Sequence, residues 1–278
     1  MNYQHSFHAG NFADVHKHVV LLAVLEQLQR KATPLFYLDT HAGRGTYLLS
    51  GSEAARDPEW RDGIGRLFHA SPRTAALQRY LQAVRSLNPD GRLQCYPGSP
   101  LLVLNALRNN DRAVCVEQQP AEARALQDAV QGQRVSVVCG DGYRALQRQL
   151  PPQENRGLVL IDPPYEDEQE FATLQQALSL ALERWRNGIF ACWYPIKAGP
   201  RAQRFHQALA QSGLRNLLLL ELSVLPADSP VGLNGSGLLL ANPPWQLDLK
   251  LADALQELHQ LLAPAGAGEV RVQWLVPE

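Results

Sequence analysis

Short β-rich runs alternate with longer helix-forming stretches along most of this chain, and this alternation limits the folds that it can adopt. The predicted strands cover residues 35–39, 113–117, 135–139, 158–162, 189–194, 217–222 and 237–241. The clearest predicted helices between them cover residues 120–130, 168–186 and 201–211. This order predicts a seven-stranded, mainly parallel sheet with helices on both faces, a Rossmann-like α/β fold whose ligands bind beyond the carboxyl ends of the strands. Residues 269–276 are a further candidate for an edge strand.

The distance between the first two predicted strands is too long for a simple alternation. The first ends at Asp39 and the second at Glu117, which is 78 residues later. In doubly wound folds about 20 residues usually separate the first glycine loop from the acidic residue that binds a ribose. We therefore predict a core formed by residues 1–50 and 93–278, interrupted by a helical insertion at 51–92.

The charge of the chain is unevenly distributed. Its formal net charge is −1 at pH 7, which excludes binding of nucleic acid through the charge of the whole protein. Residues 44–92, in contrast, hold eight arginines and five acidic residues, a net charge of +3. Such an excess indicates either a nucleic-acid contact or ordinary solvated helix faces.

The composition excludes several classes of protein. A hydrophobic content of 45% excludes a disordered chain. No apolar run approaches the roughly 20 residues that span a membrane, and the first residues lack the pattern of a secretory signal. We therefore expect a cytoplasmic protein without a membrane partner. The four cysteines have no paired spacing, so we predict no metal cofactor.

The most specific motif is Asp162-Pro163-Pro164-Tyr165, at the end of a predicted strand. Two consecutive prolines fix the backbone and have no N–H group, so the carbonyls of this turn remain available to accept hydrogen bonds. Asp162 places a carboxylate beside them, and Tyr165 offers a ring on which a base can stack. Together these groups can accept both hydrogens of a planar exocyclic amine and hold its nitrogen toward a reactive carbon.

This tetrapeptide resembles the signature of amino-directed methyltransferases that use S-adenosylmethionine, in which Asp, Asn or Ser precedes two prolines and an aromatic residue follows. A second match is Asn242-Pro243-Pro244-Trp245. In that family the signature ends the fourth strand, and Asp162 ends the fourth predicted strand, whereas Asn242 follows the seventh. We therefore assign catalysis to Asp162, Pro163 and Tyr165, and interpret the second match as a structural turn.

A glycine loop follows the first predicted strand. The segment Asp39-Thr40-His41-Ala42-Gly43-Arg44-Gly45 resembles the methyltransferase pattern Asp-x-x-x-Gly-x-Gly, in which missing side chains let the backbone approach a cofactor, so Gly43 is a predicted cofactor contact. Glu117 ends the second strand, where a carboxylate can accept both ribose hydroxyls. Asp141-Gly142 follows the third strand and is placed to meet an adenine ring. The absence of G-x-G-x-x-G disfavours a nicotinamide dehydrogenase.

The N-terminal segment is rich in histidine, with five of the eight histidines in the first 41 residues. His16 and His18 fall on different faces of a helix, so they are not expected to converge on a metal ion. Asn11 or Asp14 is a candidate N-cap for a helix that begins near Val15, whose apolar face would pack on the sheet.

Blocks from one end of the chain to the other resemble the RlmJ-type 23S rRNA adenine-N6 methyltransferases. The first block is His5-Ser6-Phe7-His8-Ala9-Gly10-Asn11, followed by Ala13-Asp14 and Lys17-His18. The later blocks follow in the family's order at residues 38–43, 96–100, 161–165, 193–195 and 274–278.

The resemblance implies a Rossmann-like class I methyltransferase core with a small helical insertion. The activity it implies is methylation of N6 of one adenine in 23S rRNA, with S-adenosylmethionine as cofactor and S-adenosylhomocysteine as product. The family's cofactor contacts would fall on His18, His41, Ser99, Glu117, Asp141, Gly142 and Asp162. Tyr3 would be the family's substrate-sensing tyrosine, and Tyr165 would also contact the base. We expect a monomer whose partner is 23S rRNA. Arg44 departs from the family pattern, which commonly has a smaller residue there.

Two other functions fit the same residues. A DNA adenine-N6 methyltransferase would use the same catalytic group, since these residues do not reveal how a 2′-hydroxyl would be read. A non-catalytic nucleic-acid-binding protein on a methyltransferase fold is the alternative of another class, and the complete set of acids and glycines argues against it.

Overall fold

The computed structural model describes residues 8–49, 58–230, 232–263 and 266–278. The strands in these ranges are β1 (Phe36–Asp39), β2 (Thr46–Leu48), β3 (Cys95–Pro97), β4 (Arg112–Glu117), β5 (Val135–Cys139), β6 (Gly157–Ile161), β7 (Ile189–Ile196), β8 (Leu217–Ser223), β9 (Gly235–Ala241) and β10 (Val270–Val276). The helices are α1 (Phe12–Gln29), α2 (Ile64–Leu67), α3 (Ala75–Ser86), α4 (Ser99–Leu104), α5 (Pro120–Ala129), α6 (Gly142–Gln149), α7 (Glu170–Arg184), α8 (Arg201–Ala210) and α9 (Leu247–Leu262). A short 3-10 helix covers Glu59–Arg61.

Eight strands form the main sheet, in the order β10-β8-β9-β7-β6-β1-β4-β5. The five strands from β7 to β5 run parallel, whereas β9 is antiparallel to both of its neighbours and β10 is antiparallel to β8. The predicted Rossmann-like, mainly parallel architecture is confirmed. The predicted strand number of seven is corrected to eight, because the candidate edge strand near the C-terminus pairs with β8.

The sheet separates two apolar layers. Successive side chains of a strand point to opposite faces, so in β1 Tyr37 joins the layer of α1, α4 and α9, while Phe36 and Leu38 join the layer of α6, α7 and α8. Helices on both faces bury the central strands completely, and β6 is buried along its whole length. The carboxyl ends of β1, β4 and β6 therefore lie together at one edge, fixed by the core beneath them.

Helix α1 begins earlier than predicted, at Phe12 rather than near Val15. Asn11 is the N-cap, and its side-chain oxygen accepts hydrogen bonds from the N–H groups of Ala13 and Asp14. The helix is buried on nearly all sides instead of along a single face, because α3, α4 and α9 pack around it. Even so, no helix in the described parts of the chain is both long and apolar enough to cross a membrane.

From residue 58 onward, the segment between β2 and β3 contains the 3-10 helix, α2 and α3, joined by turns. The chain enters this segment from β2 and leaves it into β3, and these two strands form a small sheet in which Leu48 pairs with Cys95. Its apolar side chains, including Ile64, Leu77 and Tyr80, belong to the same core layer as α1 and α9. The inserted helices thus pack directly on the sheet's own helical layer.

Candidate active site

Two cavities meet at the edge where β1, β4 and β6 end. The larger has a volume of about 480 Å³ and is lined by the glycine loop and the end of β4; we call it the cofactor-side cavity. The smaller, of about 280 Å³, is lined by the start of α1, the end of β7 and Tyr165; we call it the base-side cavity. Lys17, Asp162 and Pro164 line both. A group held at Asp162 would therefore face either cavity.

Asp162 is held by a buried lysine. The Nζ atom of Lys17 lies 2.5 Å from Oδ2 of Asp162 and 2.8 Å from Oδ1 of Asp14, one turn earlier on α1. Asp14 is itself fixed by the N–H group of Gly10, at 3.0 Å. The Lys17 side chain is 5% exposed, so two carboxylates and one ammonium form a compact, largely dry group.

The charges of this group follow from its surroundings. Burial by itself lowers the pKa of Lys17, but the carboxylates of Asp14 and Asp162 raise that pKa above its ordinary value. Lys17 therefore remains a cation at neutral pH. The ammonium is bonded to Oδ2 of Asp162, and because an ionised carboxylate has about four lone-pair sites, Asp162 can still accept a hydrogen bond from a ligand.

The turn after β6 has an uncommon backbone. Tyr165 has a φ of 53°, in the left-handed region that non-glycine residues seldom adopt. Its hydroxyl donates to the carbonyl of Trp193 at 2.8 Å, and its ring meets those of Trp193 and Phe171. These contacts hold the strained turn, so that Tyr165 lines the base-side cavity. Within the described residues, no intramolecular hydrogen bond reaches the Pro163 carbonyl.

Another part of the wall of the base-side cavity brings together two segments that are far apart in the chain. The carboxylate of Glu59, on the 3-10 helix, accepts a hydrogen bond from the Asn11 amide at 2.8 Å and contacts the His8 ring nitrogen at 3.0 Å. These bonds lower the pKa of Glu59 although burial opposes them. The insertion thus supplies part of the wall of this cavity.

The glycine loop forms the floor of the cofactor-side cavity. The N–H of Gly43 donates to Glu117 at 2.9 Å, and the N–H of Gln119 donates to the other carboxylate oxygen at 2.7 Å. A side chain at Gly43 would not fit, because its Cβ would lie 2.3 Å from the Tyr47 hydroxyl. The arrangement leaves backbone and a carboxylate facing open space, as a nucleoside ligand requires.

Arg44 departs from the family pattern without disturbing this loop. Its guanidinium forms two hydrogen bonds with Glu122 of α5, at 2.8 and 2.6 Å. Gly45, with a φ of 81°, packs against Leu126 of the same helix. Arg44 therefore connects the glycine loop to α5, and its long side chain is accommodated along that helix.

Three more predicted contacts line the cofactor-side cavity. His18 is buried and bonds to the Tyr96 hydroxyl at 2.8 Å. Burial lowers the pKa of His41 to about 4, so its ring is neutral at pH 7. Ser99 donates to Asp39 at 2.7 Å, and burial raises the pKa of Asp39 to about 6 although this hydrogen bond opposes the shift.

The other predicted residues lie elsewhere. Asp141 caps α6 by accepting a hydrogen bond from Arg144 N–H at 2.9 Å, and Gly142 begins that helix. Neither lines the cofactor-side cavity, although both are at the same edge of the sheet, where a Cβ on Gly142 would lie 2.2 Å from the Thr40 carbonyl oxygen. Tyr3 is outside the described residues.

The second Pro-Pro motif follows β9 and lies at the opposite edge of the sheet. Because β9 is antiparallel to β7, its last residue, Ala241, pairs with Phe190 at the beginning of β7. Asn242 has a φ of 55°, and its amide donates to the carbonyls of Arg186 and Gly188. Trp245 is 84% exposed. This turn is thus remote from both cavities.

Lys17, Asp14 and Glu59 are site residues that the sequence interpretation did not assign. The available signal for the first two was a charged pair, three residues apart, within an otherwise strongly apolar helix. Glu59 gave no such signal, because its partners are 48 and 51 residues away in the chain.

The donor set of the site suits an organic cofactor. Within the described residues, no three His, Cys, Asp or Glu side chains are grouped so that they could hold a metal ion. The cofactor-side cavity instead combines a size typical of small-molecule sites with glycine backbone and the Glu117 carboxylate. These features fit a small organic ligand that carries hydroxyl groups, such as a ribose.

Comparisons with known proteins find relatives that match this chain over its whole length. The family model RsmJ, described as ribosomal RNA large subunit methyltransferase D, RlmJ, matches residues 32–276. Two curated proteins named ribosomal RNA large subunit methyltransferase J, from Haemophilus influenzae and Escherichia coli, are each 39% identical over 280 and 279 residues, covering 100% of both chains.

Solved structures show the same fold. Protein LPL1258 from Legionella pneumophila has a TM-score of 0.87 at 32% identity, and the match covers 96% of this chain and 98% of that chain. A probable spermidine synthase from Corynebacterium glutamicum has a TM-score of 0.52 at 11% identity, covering 95% of this chain and 75% of that one, and shares the fold alone.

Proposed function

The chain belongs to the RlmJ family of ribosomal RNA large subunit methyltransferases, and we propose that it methylates N6 of an adenine in 23S rRNA with Asp162 as the central catalytic group. Its fold is the Rossmann-like class I methyltransferase fold. One observation carries the proposal: Asp162 lies in the wall shared by a cofactor-sized cavity and a second cavity lined by aromatic rings.

The base-side cavity takes the target adenine. An adenine in a stack is inaccessible, so it must leave the stack before its amine can reach Asp162. The Tyr165 ring, held by its bond to the Trp193 carbonyl, offers the surface on which the base stacks.

The amine is activated by hydrogen bonding. The lone pair of an aryl amine is delocalised into the ring, which makes the amine a poor nucleophile. Asp162, whose Oδ2 is held by Lys17, and the carbonyl of Pro163 accept the two amine hydrogens. This geometry localises the lone pair on N6 and directs it toward the cofactor-side cavity.

The cofactor-side cavity would hold S-adenosylmethionine, which would supply an electrophilic methyl group. Glu117 would accept the ribose hydroxyls and Gly43 would allow close approach. Asp141 and Gly142, at the same edge of the sheet but outside the cavity lining, are the residues expected beside the adenine ring. His18, His41 and Ser99 complete the contacts. As the new N–CH₃ bond forms and the S–CH₃ bond breaks, N6 becomes acidic, and Asp162 or solvent takes its proton. S-adenosylhomocysteine is released.

Three further expectations from the sequence concern Tyr3, the insertion and the oligomeric state. Tyr3 is the expected substrate-sensing tyrosine. Residues 51–92 are expected to form a subdomain on a core of residues 1–50 and 93–278. The chain is expected to act as a monomer.

Labelled methyl transfer to a 23S rRNA transcript tests the proposal. We expect the wild type to methylate the transcript, with the label mapped by mass spectrometry to N6-methyladenosine, and Asp162→Ala to be inactive. Asn242→Ala, at the second Pro-Pro motif, is the matched control and retains transfer. Loss in the control with retention in Asp162→Ala would overturn the assignment, and preferential methylation of duplex DNA would favour the DNA enzyme.

A further inference from the structure

The arginine excess of residues 44–92 is largely engaged in internal contacts. Arg44, Arg66 and Arg79 are bonded to Glu122, to the Leu262 carbonyl and to Glu26, which lie outside this segment. Arg85 is bonded to the Phe68 and Ala70 carbonyls within it. Arg73 lies 3.8 Å from Glu257. Arg66, Arg73 and Arg79 thus connect the insertion to the core, and the net charge of +3 does not by itself describe a surface for RNA.

Arg61 differs from them. It is exposed, its guanidinium lies 5.6 Å from the centre of the Trp60 ring, and it makes no ion pair within the described residues. Arginine stacked on an aromatic ring keeps its N–H groups directed outward, where they can bind a phosphate.

The position of Arg61 is fixed relative to the base-side cavity. Glu59, two residues earlier, binds Asn11 in the cavity wall. Ile64, three residues later, donates its N–H to the Gly10 carbonyl at 2.9 Å. Anchored on both sides, the turn that carries Arg61 cannot move away from the cavity without breaking these bonds.

Lys197 is a second exposed cation near this cavity. It follows the last residue of β7, lines the base-side cavity and is exposed. Like Arg61, it has no ion-pair partner in the part of the chain that the structure describes. The cavity therefore has one exposed cation of the core in its lining, and an exposed cation of the insertion lies two residues from Glu59, which lines it too.

The charge inside the cavity is of the opposite sign. Asp14, Glu59 and Asp162 line it, with Lys17 as the buried counter-charge. Such an interior disfavours a phosphate but accepts a neutral base whose amine donates hydrogen bonds. A nucleotide whose base is inserted leaves its own and its neighbour's phosphate at the rim.

We propose that Arg61 and Lys197 form a two-sided clamp for the RNA phosphates that flank the inserted adenine. The inference rests on the proposed function, since it takes an RNA strand as the ligand. It assigns to the insertion one phosphate contact, rather than a broad basic surface.

Salt-dependent binding tests the clamp. Arg61→Gln and Lys197→Gln remove one charge each, and Lys31→Gln, at an exposed site before β1, removes a charge at the opposite edge. A fluorescent oligoadenylate is titrated at several KCl concentrations. Each clamp variant is expected to weaken binding by roughly three- to tenfold and to reduce the slope of log K against log salt by about 0.7, whereas Lys31→Gln matches the wild type.

A second readout separates binding from folding and chemistry. The clamp variants should keep the wild-type melting temperature and the affinity for S-adenosylhomocysteine, and raise KM for the 23S rRNA transcript with little change in kcat. Salt slopes equal to that of Lys31→Gln would overturn the clamp. A wild type that binds oligoadenylate with the expected slopes but methylates no RNA would instead contradict the proposed function.

Discussion

Two Pro-Pro turns end buried strands of the same sheet, yet they differ in their place on the sheet and in the groups that surround their first residue. At Asp162 the turn follows β6, and its carboxylate faces two cavities and a buried ammonium. At Asn242 the turn follows β9, and its amide is bonded to backbone carbonyls before the start of β7.

The direction of the strand explains the difference. A parallel strand delivers its last residue to the edge where ligands bind, and β6 does so beside β1. The antiparallel β9 carries a nearly identical tetrapeptide to the other edge. The chemistry of the first residue then fits its position, since the Asp162 carboxylate faces the cavities and the Asn242 amide bonds to the backbone that precedes β7.

Exchange of the first residues between the two turns should have the largest effect. Asp162→Asn is expected to lower kcat/KM for methyl transfer by about 10²- to 10⁴-fold, because the negative charge that pairs with Lys17 is lost and the neutral amide is a weaker acceptor for the reacting amine. Adding Asn242→Asp should restore nothing, since that carboxylate would be at the wrong edge. Recovery in the double variant, measured by labelled methyl transfer, would refute the assignment by strand direction.

The buried cation is the next difference to remove. Lys17→Met leaves Asp14 and Asp162 close together without their counter-charge, and we expect a loss of about 3–5 kcal/mol in unfolding free energy as well as a loss of activity. Urea denaturation measures the stability. Lys250→Met, whose exposed ammonium binds only Gln27 among the described residues, serves as control with an expected change below about 0.5 kcal/mol. Equal losses in the two variants would contradict the special role of Lys17.

At the second turn we expect an effect on stability without an effect on chemistry. Asn242→Ala removes both donors to the Arg186 and Gly188 carbonyls and places alanine at a positive φ, at a cost of about 1–3 kcal/mol. Methyl transfer per folded molecule should stay within about twofold of wild type. A selective loss of activity in folded protein would show that this turn contributes to the reaction.

The beginning of β9 lies at the same edge of the sheet as Asp162, and Ser236 there contacts the buried His16. Nδ1 of His16 lies 2.9 Å from the Ser236 hydroxyl, and burial lowers the pKa of His16 to about 3. The unfolded chain takes up this proton near pH 6.5 and the folded chain does not, so the stability present above pH 6.5 is lost as the pH falls.

Denaturation at pH 7 and pH 5 measures this smaller effect. Relative to His16→Gln, the wild type should lose about 2 kcal/mol of unfolding free energy between the two values. The difference between the variants isolates His16 from Asp39, whose raised pKa acts in the opposite direction. Identical pH dependence in both proteins would show that His16 does not titrate as described.

Local patterns predicted the main sheet well, because each strand is a distinct apolar run. They missed β2, β3 and α4, which have three, three and six residues and depend on tertiary pairing. For the site, Asp162, Gly43 and Glu117 were predicted because they lie at or just after the carboxyl ends of predicted strands.

The contacts made by Lys17 and Glu59 could not be predicted in the same way. Lys17 reaches a carboxylate 145 residues away, and Glu59 reaches the N-terminal segment from the insertion. Such contacts arise from packing between elements, and local periodicity carries no information about them.

The shared wall at Asp162 has a kinetic consequence. Since the two cavities have three residues in common and otherwise different linings, we expect each ligand to have its own route to the carboxylate. Spent cofactor can then be exchanged while the nucleic acid stays in place, and neither ligand must precede the other. Initial-rate plots for such a bisubstrate enzyme intersect, and product inhibition by S-adenosylhomocysteine is competitive with the cofactor alone.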